Sequence, residues 1–294
     1  MKQKSSILGV AYAIISSATF GLIPLFSIPL LDAGIGSPTI LFYRFMVAAA
    51  IMALIMAATG RKFSLGKGQL WVVVLLAVLY ALTAILLLSS YQDIPSGMAT
   101  TIHFLYPLAV TLAMSVLFRE PTSKITYIAV VVSLLGVALL AWGSHNTGYF
   151  ERGVMLALMT VVTYAAYIIA VMKSRVSRID SLTLTFYVLI IGAILFALYA
   201  LASTGIEAIH SGSAWLNILL VALLCTVLSD YTLILAIKRI GATATSILGT
   251  MEPLTAVITG VLCFGEHFDN WDIVGLVLIV VSVVLVVAKG TQSK

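Results

Sequence analysis

Long apolar runs, separated by short polar stretches, recur along the whole sequence. A transmembrane helix needs about 20 consecutive, mainly apolar residues, and runs of that length follow one another from Ile7 to Ala288. The pattern therefore predicts ten transmembrane helices. We place them at residues 7–31, 38–59, 69–91, 97–118, 124–143, 152–173, 181–203, 213–237, 242–265 and 271–289.

The composition indicates the same fold class. The chain is 62% hydrophobic and 9% charged, with a mean hydropathy of +1.16, whereas a soluble domain is roughly 45–50% apolar and 25% charged. The first run follows Lys2 and Lys4 but is too long for the core of a signal peptide, so we keep it as the first helix. Cys225 and Cys263 both lie inside apolar runs, which predicts packing roles rather than a disulfide or a metal site. We expect an all-α integral membrane protein without a soluble domain.

The positive charges are distributed unevenly between the two sides of the predicted bundle. Of the 16 Lys and Arg residues, fourteen fall on the side of the N-terminus, which leaves Arg152 opposite and Arg44 inside a helix. Cytoplasmic loops carry such an excess. We therefore expect both termini in the cytoplasm of a cell whose inner membrane holds the protein. The net charge of +5 reflects this asymmetry and does not indicate a nucleic-acid partner.

The second half of the chain repeats short motifs of the first half at a nearly constant spacing. Because five helices are an odd number, two units of five would lie in the membrane with opposite orientations, as in many secondary transporters. We divide the chain into repeats 1–146 and 147–294. The matching pairs are Phe118-Arg119-Glu120 with Phe264-Gly265-Glu266, Pro107 with Pro253, Gly9-Val10 with Gly153-Val154, and Phe42-Tyr43 with Phe186-Tyr187.

The layout resembles the EamA family of the drug/metabolite transporter superfamily. The resemblance rests on the stretch from Gly241 to Pro253, the following Phe264-Gly265-Glu266, and the paired prolines, each followed by a glutamate at the helix end. Arg119 departs from the pattern, since a glycine is more usual there. The resemblance implies a ten-helix carrier whose central cavity is lined mainly by the first four helices of each repeat. The fifth helices would then pack at the periphery or at a dimer contact.

Four ionisable side chains fall inside the predicted membrane region. A charge at the centre of a bilayer costs roughly 2.5–3.5 kcal/mol on insertion scales, so such groups usually face a cavity and mark a pathway. Their counterparts in the other repeat are uncharged, which favours a role with an asymmetric substrate over a role in the shared fold. The four, each with its counterpart, are Arg44 (Val188), His103 (Gly249), Asp230 (Ala84) and Glu252 (Tyr106).

Each of the four has a functional and a structural interpretation. Glu252, next to Pro253, suits a proton-coupling carboxyl or a partner for a cationic substrate group, and alternatively holds helices together by hydrogen bonds. Asp230 either lines the cytoplasmic mouth or joins two helices. Arg44 either binds a substrate carboxylate, or extends to the interface, or pairs with a carboxylate. His103 either relays protons or packs.

Aromatic residues inside the helices form a second group of candidates. Tyr106 precedes Pro107 and aligns with Glu252, Tyr164 aligns with Phe20 of the other repeat, and Tyr43 lies beside Arg44. Most such residues serve packing, but an aromatic cavity with few charges suits a small amphiphilic metabolite.

Prolines 24, 29, 107 and 253 lie inside predicted helices, where each removes a backbone hydrogen bond. We expect bends there, at the wall of a cavity that satisfies the freed groups.

These observations favour a secondary transporter that works by alternating access. An exporter of amino acids or related metabolites, with or without proton coupling, is the first hypothesis, and an exporter of cationic or aromatic drugs or amines is its alternative. A channel or a structural membrane partner is the competing class. No nucleotide-binding loop or protease motif is present, so we expect no catalytic residue, cofactor or metal. The expected partners are a small molecule, protons and lipid, for a monomer or a homodimer.

Overall fold

The computed structural model describes residues 2–61, 63–66, 68–119, 124–142, 149–174, 179–203 and 205–290. Every regular element in those ranges is helical. A π-helical segment, Leu223–Leu228, joins α10 to α11. The α-helices are α1 (Lys2–Phe20), α2 (Ile23–Asp32), α3 (Ser37–Ala58), α4 (Leu70–Ser90), α5 (Ser96–His103), α6 (Tyr106–Phe118), α7 (Lys124–Trp142), α8 (Phe150–Lys173), α9 (Ser181–Ala202), α10 (Gly212–Ala222), α11 (Ser229–Leu248), α12 (Met251–Phe264) and α13 (Asn270–Gly290).

The helices form ten membrane spans, as the apolar runs predicted. Within the described ranges, seven helical stretches are long and apolar enough to cross a membrane, and three shorter apolar helices, in α7, α12 and α13, complete the set. Spans 1 and 4 each consist of two helices, α1 with α2 and α5 with α6. We call the end of the bundle that carries the N-terminus the inner end, and the opposite end the outer end.

Helix α11 folds back on itself and belongs to two spans. A straight helix of its 20 residues would be about 30 Å long. However, Ser229 at its start donates a hydrogen bond to the carbonyl of Ser16, at 2.9 Å, and Leu248 at its end accepts one from the hydroxyl of Ser17, at 3.0 Å. Ile240, between these ends, lies near the start of α1. The two arms of α11 therefore end span 8 and begin span 9, which agrees with separate predicted helices.

Spans 1, 4 and 9 are broken inside the membrane by two-residue turns. The turns are Gly21-Leu22, Phe104-Leu105 and Gly249-Thr250, and each is followed within four residues by a proline: Pro24, Pro107 and Pro253. The sequence predicted bends in continuous helices, whereas the structure starts a new helix at each site. The reason is that the first turn of a helix has free N–H groups, so a proline there loses no hydrogen bond.

The main packing pairs of the spans recur when the first five spans are exchanged with the last five. Spans 2 and 7 pack together as α3 and α9, spans 4 and 9 as α5 and α12, and spans 5 and 10 as α7 and α13. Span 1 packs on α11 of spans 8 and 9, and span 6, which is α8, packs on α4, α5 and α6 of spans 3 and 4. Among the broken spans, span 9 packs on span 4 through α12 and α5, and on span 1 through α12, α1 and α2.

The repeated helix ends also have matching backbone conformations. Arg119 ends α6 with a φ of 55°, and Gly265 ends α12 with a φ of 63°. This left-handed conformation favours glycine, which gives a physical reason for the glycine that is more usual at position 119. Glu120, and the side chains of most residues between Gly241 and Ile247, lie outside the described part of the chain, so their predicted roles stay predictions.

Candidate functional site: a closed cavity between the broken spans

A narrow cavity lies among spans 1, 2, 3, 4 and 6. Its volume is about 20 Å³, which is room for roughly one water molecule. The first five spans supply nearly all of its lining, and Tyr164 on α8 is the contribution from the second half among the described residues. The lining consists of Phe20, Ile23, Arg44, Tyr80, Thr83, Ala84, Leu87, Leu88, Tyr91, His103 and Tyr164.

Arg44 brings a buried cation to this cavity from α3. Its side chain is 5% exposed, and its Nε donates a hydrogen bond to Oγ1 of Thr226 at 3.0 Å. Thr226 lies in the π-helical segment, where its hydroxyl donates to the carbonyl of Val221 five residues earlier, at 3.1 Å. Within the described part of the chain, the two terminal nitrogens of Arg44 have neither a hydrogen-bond partner nor an ion pair. The guanidinium is therefore oriented through Nε and keeps its other donors for the cavity.

His103 ends the short helix α5 and lines the same cavity. Its side chain is fully buried, and Nδ1 lies 2.8 Å from Oγ1 of Thr160 on α8. The other ring nitrogen, Nε2, is buried without a hydrogen-bond partner among the described residues. The break that follows α5 places this ring beside the start of α6.

Tyrosine rings surround His103 and extend the aromatic wall. The ring of Tyr164 lies 5.1 Å from the ring of His103 and 4.7 Å from that of Tyr106, with a perpendicular arrangement of the two tyrosines. Tyr80 continues the group toward span 2, with its ring 5.6 Å from that of Phe45 in a stacked arrangement. The predicted Tyr106 and Tyr164 are thus brought together with His103, and Tyr164 forms part of the cavity wall.

Glu252 and Asp230 lie near the cavity but outside its immediate lining. Glu252, at the start of α12, is 5% exposed, and its Oε1 is buried with no hydrogen-bond partner among the described residues. Its carboxyl interacts electrostatically with the hydroxyl of Tyr106. The half-buried Asp230 interacts in the same way with Arg44, although no ion pair joins them in the described structure. The four predicted ionisable groups therefore surround one region.

Tyr43, another predicted site residue, contacts the outer loop and does not line the cavity. Its hydroxyl donates to the carbonyl of Glu207 in the outer loop before α10, at 3.3 Å. Its ring packs edge-on against Trp215, with 5.2 Å between the ring centroids. Tyr43 and Arg44 are neighbours in sequence, but consecutive residues of a helix point in different directions. Tyr43 therefore contacts the outer loop, whereas Arg44 lines the cavity.

A second, larger recess opens at the outer end of the bundle. Its volume is about 420 Å³, and its wall includes Asp32, Gly34, Gly36 and Gln92. Tyr91 belongs to the wall of this outer recess and also to the wall of the narrow cavity. Sequence reasoning missed Tyr91, because it is the last residue of an apolar run with no charge or proline beside it.

Polar contacts tie the two halves of the chain together at both ends. At the outer end, the Glu266 carboxylate accepts hydrogen bonds from the backbone N–H groups of Ser96, at 2.7 Å, and Gly97, at 3.2 Å. At the inner end, Arg61 and Asp180 form an ion pair at 2.6 Å. Among the described residues, no group of three or more His, Cys, Asp or Glu side chains is placed to hold a metal ion.

Ten spans, with a cavity and buried ionisable groups among them, define a multi-pass membrane protein. The model of the EamA-like transporter family matches the chain twice, over residues 7–142 and 151–288. The chain therefore belongs to the EamA-like transporter family.

Individual relatives agree with this membership. The chain is 25% identical to the inner membrane transporter YedA of Escherichia coli K12 over 263 residues, which cover 88% of this chain and 81% of YedA. It is 29% identical to the threonine/homoserine exporter RhtA of Salmonella typhimurium LT2 over 192 residues, or 65% of this chain and 62% of RhtA. A crystal structure of another protein covers 100% of both chains with a TM-score of 0.68 at 18% identity, which shows the shared fold. The protein is thus a multi-pass inner-membrane transporter.

Proposed function

We propose that the protein is a secondary transporter that moves small carboxylate-bearing metabolites, amino acids foremost, by alternating access. The observation that carries this proposal is the buried guanidinium of Arg44. Arg44 lines the cavity, and its terminal nitrogens have no hydrogen-bond partner in the described structure. A buried charge is costly unless it is paired. Since two parallel N–H donors of arginine match the two oxygens of a carboxylate, such a substrate supplies the missing partner.

The relatives support the substrate class. RhtA is named as an exporter of threonine and homoserine, which are zwitterions with a carboxylate. The aromatic wall of Tyr80 and Tyr164 suits the apolar part of a small metabolite. We propose export as the direction on the basis of this relative.

The architecture supports the alternating-access mechanism. Residues 1–146 and 147–294 are, in this proposal, two inverted repeats, which the exchange symmetry of the packing and the double family match support. A cavity of about 20 Å³ is too small for an amino acid, so the cavity has to widen when substrate binds. The breaks in spans 1, 4 and 9 are the points where helix halves move with few hydrogen bonds to lose. The excess of Lys and Arg at the inner end supports cytoplasmic termini.

Glu252 is the group that we assign to proton coupling. Its Oε1 is buried without a partner in the described structure, and an ionised carboxylate without partners is expensive in such a place. Protonation removes that expense, and release of the proton restores the charge. A carboxyl that changes charge at the start of a half-helix links proton movement to the arrangement of spans 4 and 9.

The test is counterflow of radiolabelled threonine into proteoliposomes. We expect the wild type to exchange threonine across the membrane, whereas Arg44→Ala should bind threonine roughly tenfold to a hundredfold more weakly, since a hydrogen-bonded charge contributes about 1.5–3 kcal/mol. Arg44→Lys should keep part of the binding as a point charge. Arg61→Ala, which removes an exposed ion pair at the inner end, is the matched control and should exchange normally. Equal exchange in Arg44→Ala and wild type would contradict the proposal.

A further inference from the structure

The hydrogen bonds of Thr160 determine which nitrogen of His103 carries a proton. Oγ1 of Thr160 lies 2.5 Å from the carbonyl oxygen of Ala157. Two oxygens at that distance need a hydrogen between them, and the only hydrogen available is that of the Thr160 hydroxyl. Because a hydroxyl has one hydrogen, Oγ1 has to accept the hydrogen bond from Nδ1 of His103, at 2.8 Å. The ring is therefore protonated at Nδ1.

In the neutral ring, the second nitrogen is then a hydrogen-bond acceptor. Nε2 is buried and has no partner among the described residues. Leaving a buried acceptor unpaired costs about 1–3 kcal/mol, which a histidine that served only packing would not repay. Because Thr160 orients the ring through Nδ1, Nε2 is an acceptor without a proton in the part of the protein that also contains the cavity.

The surroundings of this acceptor favour a cation. The rings of Tyr106 and Tyr164 lie 5.5 Å and 5.1 Å from the imidazole, and aromatic faces attract ammonium groups. The carboxyl of Glu252 interacts electrostatically with Tyr106, and that of Asp230 with Tyr164. Arg44 on α3 places its positive charge at the same cavity, where it can bind the negatively charged end of the substrate.

We propose that Nε2 of His103 is held as the acceptor for the ammonium group of the carried metabolite. An ammonium group has three donors and no acceptor, so it matches a bare ring nitrogen beside aromatic rings. The inference rests on the proposed transport of carboxylate-bearing metabolites, since Arg44 is to receive the other end of the substrate. It makes α-amino acids the substrate class and His103 a residue that distinguishes them from acids without an amine.

The first experiment measures the tautomer directly by nitrogen-15 NMR of the full-length protein labelled at histidine. The signals of the four histidines are assigned with His103→Gln. We expect the spectrum of a ring protonated at Nδ1 and bare at Nε2, and a shift of the Nε2 signal when threonine is added. Thr160→Val, which removes the acceptor of Nδ1, should allow the other tautomer to appear. A wild-type ring protonated at Nε2 would overturn the proposal.

The second experiment compares threonine with 3-hydroxybutyrate, which is threonine without its amine. Both are titrated against purified protein, and the ratio of the two affinities is the readout. In His103→Leu we expect this ratio to fall roughly tenfold, the equivalent of one hydrogen bond to a charged group. His103→Gln, whose amide oxygen reaches about as far as Nε2, should restore part of the ratio. A purely structural role would weaken both ligands equally.

The outcomes separate this inference from the proposed function. If both compounds bind and their ratio is the same in wild type and His103→Leu, the role of His103 is wrong and the proposed function stands. If neither compound binds the wild type, the proposed substrate class is wrong. In that case the NMR spectrum still decides whether Nε2 is a bare acceptor, and an Nε2 proton would reject that assignment as well.

Discussion

At the scale of single residues, the main feature of the site is that its buried polar atoms lack partners. Oε1 of Glu252 and Nε2 of His103 have none among the described residues, and neither do the terminal nitrogens of Arg44. Buried polar groups in native proteins are nearly always hydrogen-bonded, and the exceptions concentrate at functional sites. Two such buried atoms, together with the donors that Arg44 keeps at the cavity, indicate a site whose missing partners are mobile species.

For Glu252 this predicts that Glu252→Gln separates exchange from proton-driven transport. The amide has the shape of a protonated carboxyl, so folding and threonine counterflow should remain. Uptake driven by an imposed pH gradient should disappear, because an amide, unlike a carboxyl, does not bind and release a proton at the pH of the assay. The measurement is gradient-driven uptake beside counterflow in the same proteoliposomes.

The control is Glu151→Gln, which changes an exposed carboxyl in the first turn of α8 and should leave both activities intact. Gradient-driven uptake that persists in Glu252→Gln would remove Glu252 from proton coupling.

The site residues stay predictions, but the sequence indicated which ionisable groups the structure brings near the cavity better than it indicated which aromatic ones. Arg44, His103, Asp230 and Glu252 stand out because charge is rare in an apolar run, and the structure gathers them around one region. Tyrosine is common in such runs and therefore does not stand out. Whether a tyrosine faces the cavity depends on the rotation of its helix, which the sequence alone does not define. Tyr43 accordingly points to the outer loop.

At the scale of helices, the breaks of spans 1 and 9 are packed directly against each other. Gly21, in the break of span 1, leaves no room for a side chain. A Cβ atom there would collide with the carbonyl oxygen of Glu252 and would lie 2.9 Å from Cβ of Thr255. The close approach of these two backbones therefore depends on the glycine, and it positions Glu252 beside span 1.

We expect Gly21→Ala to destabilise the protein by about 1–3 kcal/mol, since overpacking forces the neighbouring backbone to move. Transport should fall with it, because the start of α12 and hence Glu252 are displaced. The measurement is the thermal unfolding midpoint in detergent together with threonine counterflow.

Gly212→Ala provides the matched control. This glycine begins α10 with nothing within 4 Å of an added Cβ, so the change should be neutral or slightly stabilising. A Gly21→Ala variant as stable and active as Gly212→Ala would contradict the close contact.

Three of the four prolines at which we expected bends mark helix breaks, whereas Pro29 lies inside α2, which continues to Asp32. The π-helical segment was not predictable. Pro24, Pro107 and Pro253 indicated the three discontinuous spans, although the turns themselves precede the prolines. The segment Leu223–Leu228 contains no proline or glycine. Its extra residue per turn follows from the fit of Thr226 to Arg44, a contact across 182 residues that local patterns do not contain.

At the scale of the whole molecule, we expect Tyr91 to act as the barrier between the outer recess and the cavity. It lines both, and its hydroxyl lies 3.2 Å from Oγ1 of Thr100 on α5. This contact connects the barrier to the short helix that ends at His103. Opening of the outer end therefore requires Tyr91 to leave its position.

We predict that Tyr91→Ala opens the cavity to reagents from outside. The reporter is Ala84→Cys, in the cavity wall, combined with Cys225→Ala and Cys263→Ala to remove the native thiols. A membrane-impermeant methanethiosulfonate should modify Cys at position 84 several-fold faster in the Tyr91→Ala background.

Two further variants distinguish the barrier from general loosening. Tyr91→Phe keeps the ring and should slow labelling nearly as well as tyrosine. Gln92→Ala changes the recess wall and removes a hydrogen bond to Ser37 but leaves Tyr91 in place, so it should have no effect. Equal labelling rates with Tyr91 and with alanine at position 91 would show that the barrier lies elsewhere.

If substrate occupies the cavity that Arg44 lines, threonine should protect a cysteine at position 84 from labelling. This protection can be measured directly. Labelling of the Ala84→Cys protein is timed with increasing threonine, in parallel with threonine counterflow by the same preparation. We expect threonine to slow labelling over the same concentrations that saturate counterflow, and we expect Arg44→Ala to abolish this protection. Threonine that is exchanged across the membrane without slowing the labelling would contradict it.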